Sequence, residues 1–152
     1  IDVFKKIADL ENNAVLLLIG AGETFEKVKE QVCEYGLEER VIFLGVRKDI
    51  ASLYQAMDCF VFPSLFEGLG IVAIEAQATG IRCIISDGVP KSVMITPNIE
   101  QIALDKPPKF WAEEIIKKAS KKNEKDTKKY LLAEGYDIKE NTKQIEELYC
   151  KG

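Results

Sequence analysis

Four short, mainly apolar runs punctuate the first 85 residues: AVLLLI at 14–19, RVIFL at 40–44, CFVF at 59–62 and RCII at 82–85. Each reads as a strand; CFVF lacks the polar alternation of a strand with one wet face and so fits one covered on both sides in a parallel sheet, and Cys83 likewise falls in a strand expected to be buried. Between them lie stretches of helical patterning at 24–35, 50–57 and 71–79. Strand, helix and strand in succession give βαβ units with right-handed crossovers. The expected fold class is therefore α/β, a Rossmann-like parallel sheet flanked by helices. An amphipathic helix (Val3, Phe4, Ile7, Ala8, Leu10) opens the chain, and Glu11-Asn12-Asn13 turns it into the first run. After RCII, extended segments are expected at 93–95 and 99–104, around Thr96-Pro97-Asn98. Pro107-Pro108 then breaks the chain, and residues 109–152 read as a C-terminal helical segment.

Composition narrows the function classes. At 152 residues, 47% hydrophobic and 30% charged, the chain suits a single globular domain spanning 1–152. A net charge of −4 gives no basic footprint for nucleic acid. With neither a run of ~18 apolar residues nor a signal peptide, the expected location is cytoplasmic. Cys33, Cys59, Cys83 and Cys150 form no C-x-x-C pair and read as free thiols of a reducing compartment. The absence of histidine removes the usual Cys/His zinc sites and any chemistry that needs an imidazole. No clustered Asp pair stands ready for a metal, so no metal ligands are expected. Between Lys109 and Lys129, eight lysines face four acids. A solvated helix face is the plain reading, and weak peripheral attraction to anionic lipid at the cytoplasmic face of a membrane is the sharper one.

The most informative stretch is CFVFPSLFEGLGIVAIEAQATG, residues 59–80. Pro63-Ser64 ends a strand, and Gly68 and Gly70 let a loop approach something closely. A helix then runs to the expected cap glycine, Gly80. That helix is apolar on nearly every side (Ile71, Val72, Ala73, Ile74, Ala76, Ala78), which makes Glu75 the residue to explain, since a buried carboxylate needs a partner. Unpaired amides and the positive dipole end at the helix start form an anion site. Together these features suggest a phosphorylated ligand whose phosphate meets the amides and whose hydroxyls meet Glu75. Two plainer readings stand beside this one: Glu67 as a surface residue favouring a helix N-terminus, and Glu75 as a structural carboxylate paired with Lys or Arg.

Glu67 and Glu75, with seven residues between them inside PSLFEGLGIVAIEAQATG, resemble the signature of retaining GT-B glycosyltransferases, the group 1 or family 4 enzymes of capsular and exopolysaccharide type. The resemblance implies that the chain is the C-terminal, donor-binding half of such an enzyme. A nucleotide sugar, UDP- or GDP-linked, would then be its partner, and no further cofactor is called for. It implies that Glu67 is the catalytic residue facing the donor sugar and that amides around Gly68, Leu69, Gly70, Ile71 and Val72 hold the pyrophosphate. Glu75 takes the ribose hydroxyls, its two acceptor oxygens matching a vicinal diol. Gly22 lies near the donor and Val46 and Arg47 near the base. In such enzymes the opening helix follows a first strand, central in the sheet, and a loop with an Arg and a Lys. The chain opens on Ile1 without them, so upstream sequence and the acceptor-binding N-terminal domain are expected outside it, and by itself it is expected to transfer no sugar. Many relatives carry a glutamate shortly after the proline at position 90, where this chain has Lys91 and Ser92.

Two other classes remain open on the sequence. Gly20-Ala21-Gly22 between a strand and a helix is half a dinucleotide fingerprint, compatible with an NAD-dependent oxidoreductase, although Phe25 stands where the third glycine belongs. A non-catalytic interaction module of the same fold is the other.

Overall fold

A computed structural model describes residues 1–150 and divides the chain into two compact units. One comprises Ile1–Leu53 with Asp105–Lys121, and the other comprises Tyr54–Leu104 with the stretch from Lys122 on.

In the first unit, α1 (Asp2–Leu10), β1 (Leu16–Ile19), α2 (Phe25–Glu34), β2 (Val41–Gly45) and α5 (Pro108–Ala119) follow the apolar pattern. The strands β1 and β2 pair in parallel, Leu16 with Val41 and Leu18 with Phe43. Leu16, Leu18 and Phe43 pack on a core of Phe4, Ala8, Val32, Leu37 and Val41, so one face each of α1 and α2 closes over one small sheet. Arg40, expected to begin a strand, lies instead in a 3₁₀ turn, Glu38–Arg40. From there its guanidinium donates to the carbonyls of Ala8 (2.9 Å), Ala14 (3.0 Å) and Glu11. A planar fork of donors thus satisfies carbonyls that the end of α1 leaves open. The helix α5 begins on Pro108, which suits a first helical position whose N–H needs no partner, and buries Trp111, Ala112 and Ile115.

The second unit holds β3 (Cys59–Phe62), α4 (Ile71–Ala78), β4 (Arg82–Ser86), β5 (Ile99–Ile102), α6 (Lys128–Ala133) and α7 (Ile138–Cys150), with α3 (Ile50–Gln55) ending at its start. Its sheet has the order β3-β4-β5 and is parallel throughout, Phe60 with Cys83 and Ile84 with Glu100. All five residues of β4 are buried, whereas all four of β3 are half-buried. Full cover, expected both for 59–62 and for the strand that holds Cys83, is found only in the latter, the strand flanked on both sides. Residues 93–95 are not a strand either. Pro90, at ψ 140°, leads into a 3₁₀ turn, Lys91–Val93, and the chain re-enters the sheet only at Ile99. The parallel sheets flanked by helices agree with the expected α/β class.

Two buried amides tie this unit together. Gln77, fully buried, donates to the carbonyls of Ala73 (2.9 Å) and Val93 (2.7 Å) and accepts from the amides of Ile95 (3.1 Å) and Thr96 (3.0 Å). Asn98 donates to the carbonyls of Gly80 (3.0 Å) and Glu124 (2.7 Å) and accepts from the Glu124 amide (2.8 Å). Each side chain stands in for a stretch of missing backbone ladder.

Gln77→Leu keeps the volume but strands two buried amides, so a loss of about 3 kcal/mol in urea unfolding followed by far-UV circular dichroism is expected. A second expectation concerns alkaline pH. Burial pushes the Cys59 thiol up to about 12 and the Cys83 thiol higher still. Burial, with the nearby Glu75 charge adding to it, pushes the Tyr54 phenol up to about 12. Unfolded, these groups ionise near 9 and 10. Folding holds their protons, so its contribution is intact below the unfolded values and is lost as pH rises through the folded ones. The urea midpoint should fall steadily between pH 9 and about 12; a flat midpoint over that window contradicts the burial of these groups.

Candidate functional site

Parallel pairing sends the loop after every strand of a sheet to the same edge, and in open α/β sheets that C-terminal edge is where ligands bind. In the second unit the loop after β3 carries Glu67 to Gly70, and the loop after β4 carries Asp87-Gly88-Val89. The two are joined. The Glu67 amide donates to the Gly88 carbonyl (3.1 Å), and the Ser86 hydroxyl donates to the Ser64 carbonyl. Glu67 is half-buried, and its carboxylate accepts from the Ser64 hydroxyl at 2.9 Å. A loose surface glutamate would have no such fixed partners.

Of the two loop glycines, Gly70 is the one the backbone requires. It sits at φ +74°, and a Cβ there would lie 3.1 Å from Val89 Cγ1. Gly68 faces open space. Because Gly70 is also the N-cap of α4, no side chain caps this helix. By helix geometry its first amides lack intrahelical partners, and Leu69, Ile71 and Val72 around them are exposed. The result is an uncovered, positively polarised helix start.

The helix is not buried all round. It buries Ala73, Ile74, Ala76 and Gln77 and exposes Ile71, Val72, Glu75 and Ala78, so Glu75 shares the open face with the first turn. Among the described residues Glu75 makes no ion pair or hydrogen bond, and the internal partner a structural carboxylate would have is not there. Its neighbour Tyr54 donates instead to the Val72 carbonyl (3.3 Å).

The first unit carries the other candidates at the corresponding edge of its own sheet. The Gly20 amide donates to the Gly45 carbonyl (2.8 Å), joining the loops after β1 and β2. Gly22 lines a largely apolar cleft of about 260 Å³ with Leu18, Phe25, Val28 and Phe43. Val46 is 79% exposed. Arg47 is exposed too, but its guanidinium grips the Asp49 carboxylate in a fork (2.8 and 2.7 Å), which raises the Arg47 pKa and lowers that of Asp49. Asp49 precedes α3 and takes the amides of Ser52 and Leu53 on its backbone carbonyl, while its carboxylate stays with Arg47. A further cleft, of about 280 Å³, lies at the far end of α4 beside Thr79, Gly80 and Asn123, away from the glutamate loop.

Residues 1–131 match the model of the glycosyl transferases group 1 family. The chain belongs to that family. It is 35% identical over 137 residues to the putative glycosyltransferase EpsF of Bacillus subtilis (strain 168), covering 88% of this chain and 36% of EpsF. Over 83 residues it is 39% identical to the UDP-Gal:alpha-D-GlcNAc-diphosphoundecaprenol alpha-1,3-galactosyltransferase of Escherichia coli, covering 51% of this chain and 21% of that protein. Among solved structures, HepE from Anabaena in complex with UDP superposes with a TM-score of 0.75 at 22% identity, over 99% of this chain and 44% of HepE. The apo lipopolysaccharide outer core galactosyltransferase WaaB gives 0.61 at 29% identity, over 75% of this chain and 34% of WaaB. The fold is that of GT-B glycosyltransferases, and the chain spans about a third or less of the curated relatives it matches. No described helix is long and apolar enough to cross a membrane.

Sequence reasoning missed Ser64, Ser86 and Gly88, the residues that fix the Glu67 loop. The available signal was weak: a serine at or just past the end of each of two strands. Because Glu75 has no protein partner to lose, Glu75→Ala should leave the urea midpoint within about 0.5 kcal/mol of wild type. A large destabilisation would make Glu75 a structural residue.

Proposed function

We propose that this chain is the donor-binding part of a glycosyltransferase that moves a sugar from a nucleotide sugar to an acceptor in polysaccharide or glycoconjugate synthesis. The observation that carries the reading is an uncapped helix N-terminus with an exposed, unpartnered carboxylate one turn further in, on a chain of this family. The amides from Gly68 to Val72 would hold the pyrophosphate and Glu75 the ribose diol. Glu67, fixed beside them, would face the sugar as the catalytic residue. In the first unit, the cleft at Gly22 would lie near the donor, with the exposed backbone at Val46 and the side of Arg47 against the base. HepE was solved with UDP and with UDP-glucose, which favours a UDP-linked donor over a GDP-linked one.

The chemistry would be positioning and charge. As the glycosidic bond to the nucleoside diphosphate breaks, negative charge grows on the pyrophosphate. Amides and a helix dipole aimed there stabilise the charge most at the transition state. This assigns to the peptide groups a role that needs no added cofactor. Relatives extend well beyond the matched region, and on this reading acceptor binding would belong to a part of the enzyme outside these residues. The chain by itself would bind donor without turning it over. Lys121, Lys122, Lys125 and Lys128 carry no ion pair among the described residues, which supports a weak attraction to anionic lipid at a cytoplasmic membrane face. Family membership weighs against the oxidoreductase reading of Gly20-Ala21-Gly22.

Calorimetric titration with UDP, GDP and NADH tests the proposal. Binding of UDP or GDP, and not NADH, is expected. Glu75→Ala should weaken it by about 1 to 3 kcal/mol through lost charge-assisted hydrogen bonds. Unchanged nucleotide affinity in that variant would remove Glu75 from the site.

A further inference from the structure

The loop that presents Glu67 is built against the turn after β4, and the fit between them depends on one missing side chain. A Cβ on Gly88 would fall on the carbonyl oxygens of Ser64 and Leu65 and lie 2.6 Å from the Leu65 carbonyl carbon, far inside van der Waals contact. These are backbone atoms, which cannot swing aside as a side-chain tip could. Gly88 is not at positive φ, so conformational freedom is not what the position requires. It requires the absence of volume. At this closest approach the Gly88 carbonyl takes the Glu67 amide (3.1 Å), and two residues back Ser86 gives its hydroxyl to the Ser64 carbonyl.

The turn is itself held firmly. Gln101 on β5 donates to the carbonyls of Ser86 (3.2 Å) and Val89 (2.9 Å), and the Asp87 amide donates to the Ile102 carbonyl (3.2 Å). Asp87 Oδ1 accepts from the Leu104 amide (2.8 Å). The side facing the glutamate loop is therefore the rigid member of the pair. The last link runs through Ser64, whose hydroxyl donates to Glu67 Oε1 (2.9 Å).

We propose that Gly88 and Ser64 are the positioning residues for Glu67: Gly88 sets the backbone of its loop by letting two main chains meet, and Ser64 sets the direction of its carboxylate. This inference rests on the donor-site reading only for its purpose, because the arrangement itself is a property of the unliganded chain. An alanine at position 88 must push the 64–67 backbone away from β4, which breaks the bond from the Glu67 amide. Loss of the Ser64 hydroxyl, which also lies 3.2 Å from the Phe66 carbonyl, frees the carboxylate while leaving the Gly88 contact and the Glu67 amide bond in place.

Amide hydrogen exchange by NMR on this chain, without ligand, tests the first half. In Gly88→Ala the Glu67 amide should exchange at least about tenfold faster while Cys83 to Ile85 in β4 keep their wild-type rates. Equal protection of Glu67 in both proteins overturns the proposal. If β4 also loses protection, so that the variant has not folded, Ser86→Ala decides: faster exchange at Glu67 with β4 intact supports the clasp, and no change there overturns it. For the second half, the side-chain carboxyl carbon resonance of Glu67 should move in Ser64→Ala and return towards its wild-type position in Ser64→Thr, which restores a hydroxyl. A resonance indifferent to both substitutions removes Ser64 from the role. None of these measurements uses a nucleotide, so their failure sinks the clasp alone, whereas failure of UDP and GDP to bind sinks the donor reading and leaves the clasp standing.

Discussion

The parallel pairing of β4 between β3 and β5 is the constraint from which the second unit's site follows. Parallel neighbours cannot be joined by a tight hairpin, so each connection must cross over, and every strand ends at the same edge. The loop after β3 and the turn after β4 are thereby adjacent without any interaction of their own. What remains for side chains is local adjustment: Gly88 brings the two main chains into contact, Gly70 turns the chain into α4, and Ser64 orients Glu67. The first unit repeats the logic with two strands, where Gly20 and Gly45 bond at the shared edge and Gly22, Val46 and Arg47 follow in the loops.

Two polar residues a short step apart on α4 show how chemistry decides what is buried. Gln77 is sealed inside with its donors and its acceptor all engaged by backbone. Glu75 is exposed with nothing engaged. An amide carries both donors and acceptor, so a neighbouring irregular stretch such as 93–96 can satisfy it completely. A carboxylate is acceptor only and charged, and burying it would need several donors or a cation. The helix therefore buries its amide and presents its acid. A free carboxylate beside free amides is a poor arrangement for an empty protein, since both remain hydrated, but a suitable one for a ligand that is anionic at one end and rich in hydroxyls at the other.

The sequence made the elements legible because apolar runs and glycine punctuation are local. The strands at 59–62 and 82–85, the helix from Ile71 and the cap at Gly80 all appear where periodicity put them. What failed was everything set by neighbours. Full burial, expected of both β3 and β4, came to β4 alone because sheet order, not composition, decides which strand is flanked. The same apolar composition made α4 look enclosed, although half of its apolar residues are exposed. Arg47, which the resemblance puts near the base, has its guanidinium held by Asp49, two residues on. Gly88 was readable as a turn glycine and nothing more, for its reason lies in a main chain more than twenty residues earlier in the sequence. Of the site, the motif glutamates and glycine loop were visible in one dimension, whereas the residues that hold them still were not.

Charge balance separates two properties that the family motif presents together. A helix N-terminus is equivalent to roughly half an elementary charge, less than a pyrophosphate needs for neutralisation. On the donor-site reading, the α4 amides would orient the phosphates without by themselves holding them strongly against water and salt. Hydrogen bonds between Glu75 and a neutral diol would survive screening that weakens the phosphate contact. Such a site would have a recognition end and an orientation end, and strong capture of a diphosphate would need further cations. The turn after β4 carries one exposed acid, Asp87, and, just past Pro90, one exposed cation, Lys91, so its formal charges cancel. That turn therefore shapes the edge through the backbone contact at Gly88 and not through charge.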